Sequence, residues 1–178
     1  MDFIGFRVKL FLLALWLLAF TPSVEAEWFD YLGAQAGATY NEDKTFTSLE
    51  GIVGWELPWT WQGFSGISLN TDAEASLGLL RGDGSTIGIA SIGPRVIINA
   101  LPGQLGFDVG IRMALMSRTK INGLDFGTAL QFISHLGLSW RMGEHFEVGY
   151  QYQHMSNGGM NNSNPGLNMH VLRLNYYY

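Results

Sequence analysis

The sequence predicts an all-β protein, an eight-stranded antiparallel transmembrane β-barrel of the outer membrane. Three observations support this prediction. The chain begins with an export signal, no later segment could form a membrane-spanning helix, and many segments alternate between apolar and polar residues. Such alternation places successive side chains on opposite faces of a strand. In a bilayer barrel the apolar face contacts lipid and the polar face fills the lumen.

The N-terminal segment predicts a cleaved signal peptide over residues 1–26. Arg7 and Lys9 precede the apolar run LFLLALWLLAF, which is shorter than the roughly 20 apolar residues of a membrane-spanning helix. The small-residue pattern that ends at Ala26 fits a signal-peptidase site. The mature chain is then one barrel domain, residues 27–178. An uncleaved membrane anchor is the alternative interpretation.

The composition excludes several classes of function. The chain has no cysteine, which excludes a disulfide framework and a thiolate metal site. Its formal net charge of −5 argues against nucleic acid as a partner, because phosphate binding requires a basic surface. The 23 glycines, the 13% aromatic content and the export signal together fit a transmembrane barrel.

Turn signals divide the mature chain into eight alternating segments. The predicted strands are residues 31–40, 47–56, 64–80, 86–98, 104–117, 126–140, 146–156 and 167–178. A barrel of this size fills its interior with side chains and leaves no open pore. We therefore expect a polar core of paired charges in the lumen, formed by Asp72, Glu74, Asp108, Arg112, Arg141 and Glu147.

The apolar faces of these segments are expected to contact lipid. In the sixth segment the outward set is Phe126, Leu130, Phe132, Leu136, Leu138 and Trp140. Aromatic residues near the predicted strand ends suit aromatic girdles at the two membrane interfaces. These residues are Trp28, Trp55, Trp59, Trp61, Trp140, Phe146 and the C-terminal tyrosines.

The stretch HMSNGGMNNSNPGLN, residues 154–168, departs from the barrel pattern. His154 and Ser156 continue the apolar face of the seventh strand and so point at lipid, where a polar pair is costly without a purpose. Because both termini of such a barrel lie in the periplasm, this strand runs outward and ends at the outer leaflet. Asn168 and His170 share the outward face of the eighth strand. A hairpin that sets Asn168 near His154 keeps the outward-facing residues of both strands on the same face of the wall.

This arrangement has the spacing required for acyl transfer. Residues two apart on a strand are roughly 6.6 Å apart along its axis, a gap that an imidazole can span to take a proton from a serine. A group on the neighbouring strand can hold the imidazole from its other side, and the Asn-rich loop offers donors for an oxyanion. The spacing of His154 and Ser156 alone more often marks a surface histidine beside a polar loop, and it is the outward direction of both residues that makes the catalytic interpretation equally good.

The same stretch resembles the motif of the outer-membrane lipid A 3-O-deacylase family (PagL type, acyloxyacyl hydrolases). The matching elements are His154-Met155-Ser156-Asn157 and Asn164-Pro165-Gly166-Leu167-Asn168. The resemblance implies that Ser156 is the nucleophile and that His154 is the general base and then the acid. Asn157, or its backbone, and Asn164 would help to form the oxyanion hole.

The position that usually carries the triad glutamate in this family is occupied here by Asn168. An asparagine can orient the imidazole through a hydrogen bond, but it cannot stabilise the imidazolium by charge. His170, two residues further on, is expected to be a membrane-interface residue.

The resemblance implies lipid A of lipopolysaccharide as the substrate, a 3-hydroxy fatty acid as a product, and no metal or organic cofactor. The expected location is the cell outer membrane, and a homodimer is an open alternative to a monomer. Two other functions stay open: a non-catalytic barrel for envelope structure or adhesion, and a barrel that binds lipopolysaccharide without cleaving it. The lipid-facing His154 and Ser156 favour the enzyme, because a structural barrel has no need of them.

Overall fold

The computed structural model describes residues 28–41, 44–63, 66–100 and 104–178. The predicted signal peptide, residues 1–26, lies outside the described residues. Within these ranges, no helix is long and apolar enough to cross a membrane. The strands are β1 (Tyr31–Asn41), β2 (Lys44–Gln62), β3 (Ser68–Gly82), β4 (Ser85–Ala100), β5 (Leu105–Met116), β6 (Lys120–Ile121), β7 (Leu124–Asp125), β8 (Leu130–Met142), β9 (Phe146–Ser156) and β10 (Leu167–Tyr177).

Eight of these strands form a closed antiparallel barrel, as the sequence predicts. The order around the barrel is β1-β10-β9-β8-β5-β4-β3-β2, and β6 pairs only with β7. The barrel has two unlike ends. The loop end carries the connections at residues 83–84, 117–129 and 157–166, and the terminal end carries the first residues of β1 and the last residues of β10.

Two of the predicted strand boundaries are wrong. Residues 57–62, predicted as a connection, continue β2 with a shift of register between Leu57 and Trp61. Pro58 lies inside this irregularity, which is where a strand can accept a residue without an N–H donor. The sixth barrel strand begins at Leu130 and not at residue 126, because the residues before it form the β6–β7 hairpin.

The outward faces are as predicted along most of the wall. Leu77, Leu115 and Leu172 are 72%, 60% and 67% exposed, which fits contact with lipid. Phe126 is the exception, because it is fully buried and not outward. Its N–H donates to Thr119 O at 2.8 Å, which turns the chain over the loop end before β8 begins.

The lumen was expected to hold a polar core of paired charges, and the structure divides it into a charged terminal half and a loop half with a large apolar cluster. The loop half holds an apolar cluster of Phe46, Leu80, Ile87, Ile89, Ala114, Met116, Ile121, Phe126, Ile133, Met155, Leu167, Met169 and Val171. The charged half centres on Arg95, whose guanidinium lies 2.9–3.7 Å from four carboxylates. These carboxylates belong to Asp72, Glu74, Asp108 and Glu147.

The predicted acids therefore belong to the lumen network, but the predicted cations are wrong. The partners of the acids are Arg95 and Arg173, and Arg173 pairs with Glu74. Arg112 is buried and has no hydrogen-bond partner among the described residues. The Arg141 guanidinium lies 3.7 Å from the centre of the Tyr177 ring. Strand register decides these pairs: β3–β4 pairing sets Asp72 directly opposite Arg95.

The aromatic residues expected at two interfaces all lie at the terminal end. Trp55 Nε1 donates to the Trp28 carbonyl at 2.6 Å, and Trp140 pairs with Leu105 at the start of β5. Trp59 and Trp61 are 68% and 58% exposed near the end of β2. These side chains form one girdle, and the loop end carries the polar side chains of the site described next.

Candidate active site

The β9–β10 hairpin brings His154 and Asn168 together. The two residues are direct partners in the antiparallel register, which confirms the pairing expected from parity. His154 Nδ1 and Asn168 Oδ1 are 2.7 Å apart on the lipid-facing side of the wall. Because a carboxamide oxygen only accepts, the imidazole Nδ1 carries the proton of this hydrogen bond. In the neutral ring, Nε2 is then free to accept a proton.

Ser156 is the last residue of β9 and lies on the same face as His154. Its side chain is half-buried, between the exposed wall and the loop that follows. Within the described residues, no hydrogen bond joins the Ser156 hydroxyl to the imidazole. The contact between a nucleophile and its base often tightens only in the substrate complex, so the spacing is compatible with catalysis.

Asn157 follows Ser156 and is fully buried. Its Nδ2 donates to Phe126 O at 3.0 Å and to Ser163 O at 2.8 Å, and its Oδ1 accepts from Gly159 N at 2.9 Å. Both donors of the carboxamide are therefore occupied. Its backbone N–H is occupied too, because it donates to Asn164 Oδ1 at 3.0 Å, so Asn157 presents no free donor to an oxyanion in this structure.

Asn164 lies in the same loop and holds the backbone of the turn. Its Oδ1 accepts from Asn157 N at 3.0 Å, and its side chain is exposed. The donors of this loop without a hydrogen-bond partner in the part of the chain that the structure describes include Asn164 Nδ2 and the Gly158 N–H. The Gly158 N–H is two residues from Ser156, and Asn164 Nδ2 belongs to the carboxamide that the Asn157 N–H holds.

A recess of about 290 Å³ adjoins the His154–Asn168 pair. Its wall includes His170 from β10, Leu124 from β7 and Gly166 from the loop. A Cβ at Gly166 would lie 3.2 Å from His154 Cε1, so the absence of a side chain here leaves room for the imidazole. The recess is open to the outside of the barrel at the loop end.

His170 belongs to a different contact. Its Nδ1 lies 2.6 Å from Tyr150 Oη, and its ring meets the edge of the Tyr152 ring at a centroid distance of 5.5 Å. His170 is therefore held by Tyr150 on the wall and not by His154. This position agrees with the membrane-interface role expected from the sequence.

Sequence reasoning did not identify the segment that supports the site from inside. Phe126 and Asp125 contact the loop through their carbonyl groups, at Asn157 and Ser163 respectively. Every residue has a backbone carbonyl, so the residue type does not indicate which carbonyl accepts a hydrogen bond. The one available signal was NG at Asn122-Gly123, a dipeptide typical of a tight hairpin.

A family model described as Lipid A 3-O-deacylase (PagL) matches residues 46–177. The Lipid A deacylase PagL of Bordetella bronchiseptica is 34% identical over 71 residues, which are 40% of this chain and 39% of that protein. The aligned part is therefore well under half of the length of this relative.

Solved structures show the same fold. The crystal structure of the outer membrane enzyme PagL matches with a TM-score of 0.69 and 21% identity, over 82% of this chain and 97% of that chain. The N-terminal β-barrel domain of Pseudomonas aeruginosa OprF matches with a TM-score of 0.53 and 15% identity, over 84% of this chain and 98% of that chain. Both similarities concern the eight-stranded barrel.

Proposed function

This chain belongs to the PagL family of lipid A 3-O-deacylases, and we propose that it is an active serine esterase of the outer membrane. Its substrate is lipid A of lipopolysaccharide, from which it removes the acyl chain that is ester-linked at the 3-position. The observation that carries this proposal is the 2.7 Å contact between His154 and Asn168 on the lipid-facing wall. Polar groups facing lipid are costly, and here they lie beside a serine with the spacing of a nucleophile and its base.

The reaction follows the serine-esterase scheme. Ser156 Oγ attacks the ester carbonyl carbon while His154 Nε2 takes the hydroxyl proton, and a tetrahedral intermediate forms. The intermediate collapses when the sugar 3-oxygen leaves with the proton from His154. A water molecule, deprotonated by the same imidazole, then cleaves the acyl-enzyme. The products are a free 3-hydroxy fatty acid and a lipid A with one chain fewer.

Asn168 orients the imidazole in this scheme. Its oxygen holds Nδ1–H, and so Nε2 is the nitrogen presented to Ser156. The carboxamide carries no net charge, so it stabilises the imidazolium less than a carboxylate would. We assign Asn168 to the position of the third triad member.

The oxyanion hole is assigned to the loop after Ser156. Asn164 Nδ2 and the Gly158 N–H are its donors in this proposal, because their hydrogen-bonding capacity is not used elsewhere in the described residues. Asn157 supplies no donor of its own in this proposal, because its backbone N–H donates to Asn164 Oδ1 at 3.0 Å and so orients the Asn164 carboxamide. Preorganised donors of this kind stabilise the charge that develops on the ester oxygen.

Mass spectrometry of lipid A from cells that express the wild type, Ser156→Ala or His154→Ala tests this proposal. We expect wild-type cells to lose one 3-hydroxyacyl chain from lipid A and both variants to leave lipid A intact. Ser134→Ala is the matched control, because Ser134 lies opposite His154 on β8 and also faces outward. It should retain activity.

The same experiment separates the alternatives. Deacylation by Ser156→Ala would exclude this serine as the nucleophile, and loss of activity only in Ser134→Ala would move the nucleophile to β8. Unchanged lipid A with a folded wild-type barrel would favour a non-catalytic barrel.

A further inference from the structure

The segment 117–129, here called the buttress, packs against the loop 157–166, here called the catalytic loop. Ser163 Oγ donates to Asp125 O at 2.6 Å, and Asn157 Nδ2 donates to Phe126 O at 3.0 Å. The two segments are so close at Gly127 that a Cβ there would lie 2.3 Å from Ser163 O. Gly127 also has a φ of +77°, which disfavours any side chain.

The buttress is itself fixed in place. Phe126 and Ile121 are buried in the apolar half of the lumen, with exposures of 0% and 2%. The Asp125 carboxylate accepts from Gly127 N at 2.9 Å and lies 3.2 Å from Lys120 Nζ. The Gly127 N–H, with Lys120 beside it, holds the pKa of the Asp125 carboxyl below its usual range. The carbonyl groups of Asp125 and Phe126, which accept hydrogen bonds from the catalytic loop, are therefore fixed by the buried side chains and by the contacts of the Asp125 carboxylate.

Asn157 is the link between this support and the reacting residue. It directly follows Ser156, and its carboxamide joins the buttress, Ser163 and Gly159 by three hydrogen bonds. A displacement of Asn157 would move the Ser156 backbone and the N–H groups of the turn together. Misplacing a catalytic group by about 1 Å can cost about 10²-fold in rate.

We propose that the buttress is a positioning element for catalysis and that Asn157 is a positioning residue that does not touch the substrate. This inference rests on the proposed esterase function. The buttress fixes the turn 157–160 through Asn157 and Ser163, and so it sets where the nucleophile and the oxyanion donors lie. The buried carboxamide of Asn157 positions the turn after Ser156 from the inside of the wall, and Asn168 positions the His154 imidazole from the outside.

Three variants and two controls separate this role from general stability. Asn157→Asp keeps the size of the side chain but removes both donors, and Ser163→Ala removes one hydroxyl. Ser163→Thr retains that hydroxyl and should rescue the function. Gly127→Ala forces the two segments apart. Its matched control is Gly84→Ala, because Gly84 also has a positive φ, +81°, at the loop end, but no atom lies within 4 Å of its Cβ position.

Two readouts are needed for each variant in detergent micelles: the kinetic constants for release of 3-hydroxy fatty acid, and amide hydrogen exchange over residues 157–160. We expect Asn157→Asp, Ser163→Ala and Gly127→Ala to lower kcat by about 10- to 10²-fold with little change in KM. Amide exchange in the turn should become faster in the same variants. Gly84→Ala and Ser163→Thr should match the wild type in both readouts.

Unchanged exchange and unchanged kcat in Ser163→Ala and Asn157→Asp, with the barrel folded, would overturn the proposal. Should Gly127→Ala fail to fold, these two variants decide the question. If the wild type releases no fatty acid, the esterase function fails, and the exchange data alone then confirm or overturn the link between buttress and turn.

Discussion

The imidazole of His154 and the carboxamide of Asn168 meet across the β9–β10 pair with 2.7 Å between Nδ1 and Oδ1. The two residues are direct partners in register, so the barrel backbone itself sets their separation. This contact fixes the tautomer of the ring, because the amide oxygen can only accept. A neutral residue thus orients the imidazole in the proposed triad, where a carboxylate is more usual.

Removing the Asn168 carboxamide should affect turnover more than binding. Asn168→Ala frees the ring to rotate and to change tautomer, and this matters most in the transition state. We expect kcat to fall by about 10²-fold with KM nearly unchanged, measured by release of fatty acid from lipid A in micelles. His170→Ala is the control, since His170 is held by Tyr150. A wild-type kcat in Asn168→Ala would remove Asn168 from the triad.

Asn168→Glu should retain or increase activity and should change its pH dependence. A carboxylate beside the imidazole favours the protonated ring, and a protonated ring cannot act as the base. The fall in kcat/KM on acidification should therefore begin at a higher pH than in the wild type. Profiles of kcat/KM against pH for both proteins measure this shift. An acid limb that does not move would show that residue 168 does not interact electrostatically with the base.

Arginine placed on the lipid-facing wall should destabilise the barrel by an amount that depends on its depth in the bilayer. Ile111 is central in β5 and 52% exposed, and Ile111→Arg should cost about 2–4 kcal/mol. Leu115 lies on the same face near the loop end, so Leu115→Arg should cost only about 0–1 kcal/mol of unfolding free energy. Urea unfolding in lipid vesicles measures both values. Equal costs would contradict the assignment of the wall to the bilayer.

Two buried arginines should respond differently to replacement by methionine. Arg173→Met leaves Glu74 with an incomplete set of partners inside the lumen, which should cost about 3–5 kcal/mol of unfolding free energy. Arg112→Met should cost much less, because Arg112 has no hydrogen-bond partner in the described residues. Adding Glu74→Gln to Arg173→Met should recover part of the loss. Equal losses in the two single variants would contradict the ion-pair assignment.

The period of two along the chain was sufficient to predict the barrel and the outward direction of His154, Ser156 and Asn168. Every second side chain of a strand points to the same face, so one correctly assigned lipid-facing residue predicts the direction of all the others in that strand. The same logic predicted the pairing of His154 with Asn168, since any register that preserved parity and a loop near ten residues set them close together. These parts of the site are local to one hairpin.

The remaining features depend on contacts between distant segments. Phe126 has the parity of a lipid-facing residue, but a hairpin breaks the strand before it and turns it inward. The pairing of Arg95 with four acids depends on the shape of the closed lumen, which alternation does not specify. The buried role of Asn157 is set by carbonyl groups of the buttress, and a carbonyl is the same in every residue type.

The position of His154 on the outer wall determines how the proposed esterase would encounter lipid A. A site that faces lipid collects molecules by lateral diffusion within one leaflet and needs no channel through the lumen. Its rate would therefore follow the mole fraction of lipid A in the membrane or micelle and not the amount per volume of solution. Diluting the micelles with buffer should leave turnover unchanged, whereas adding inert detergent should lower it.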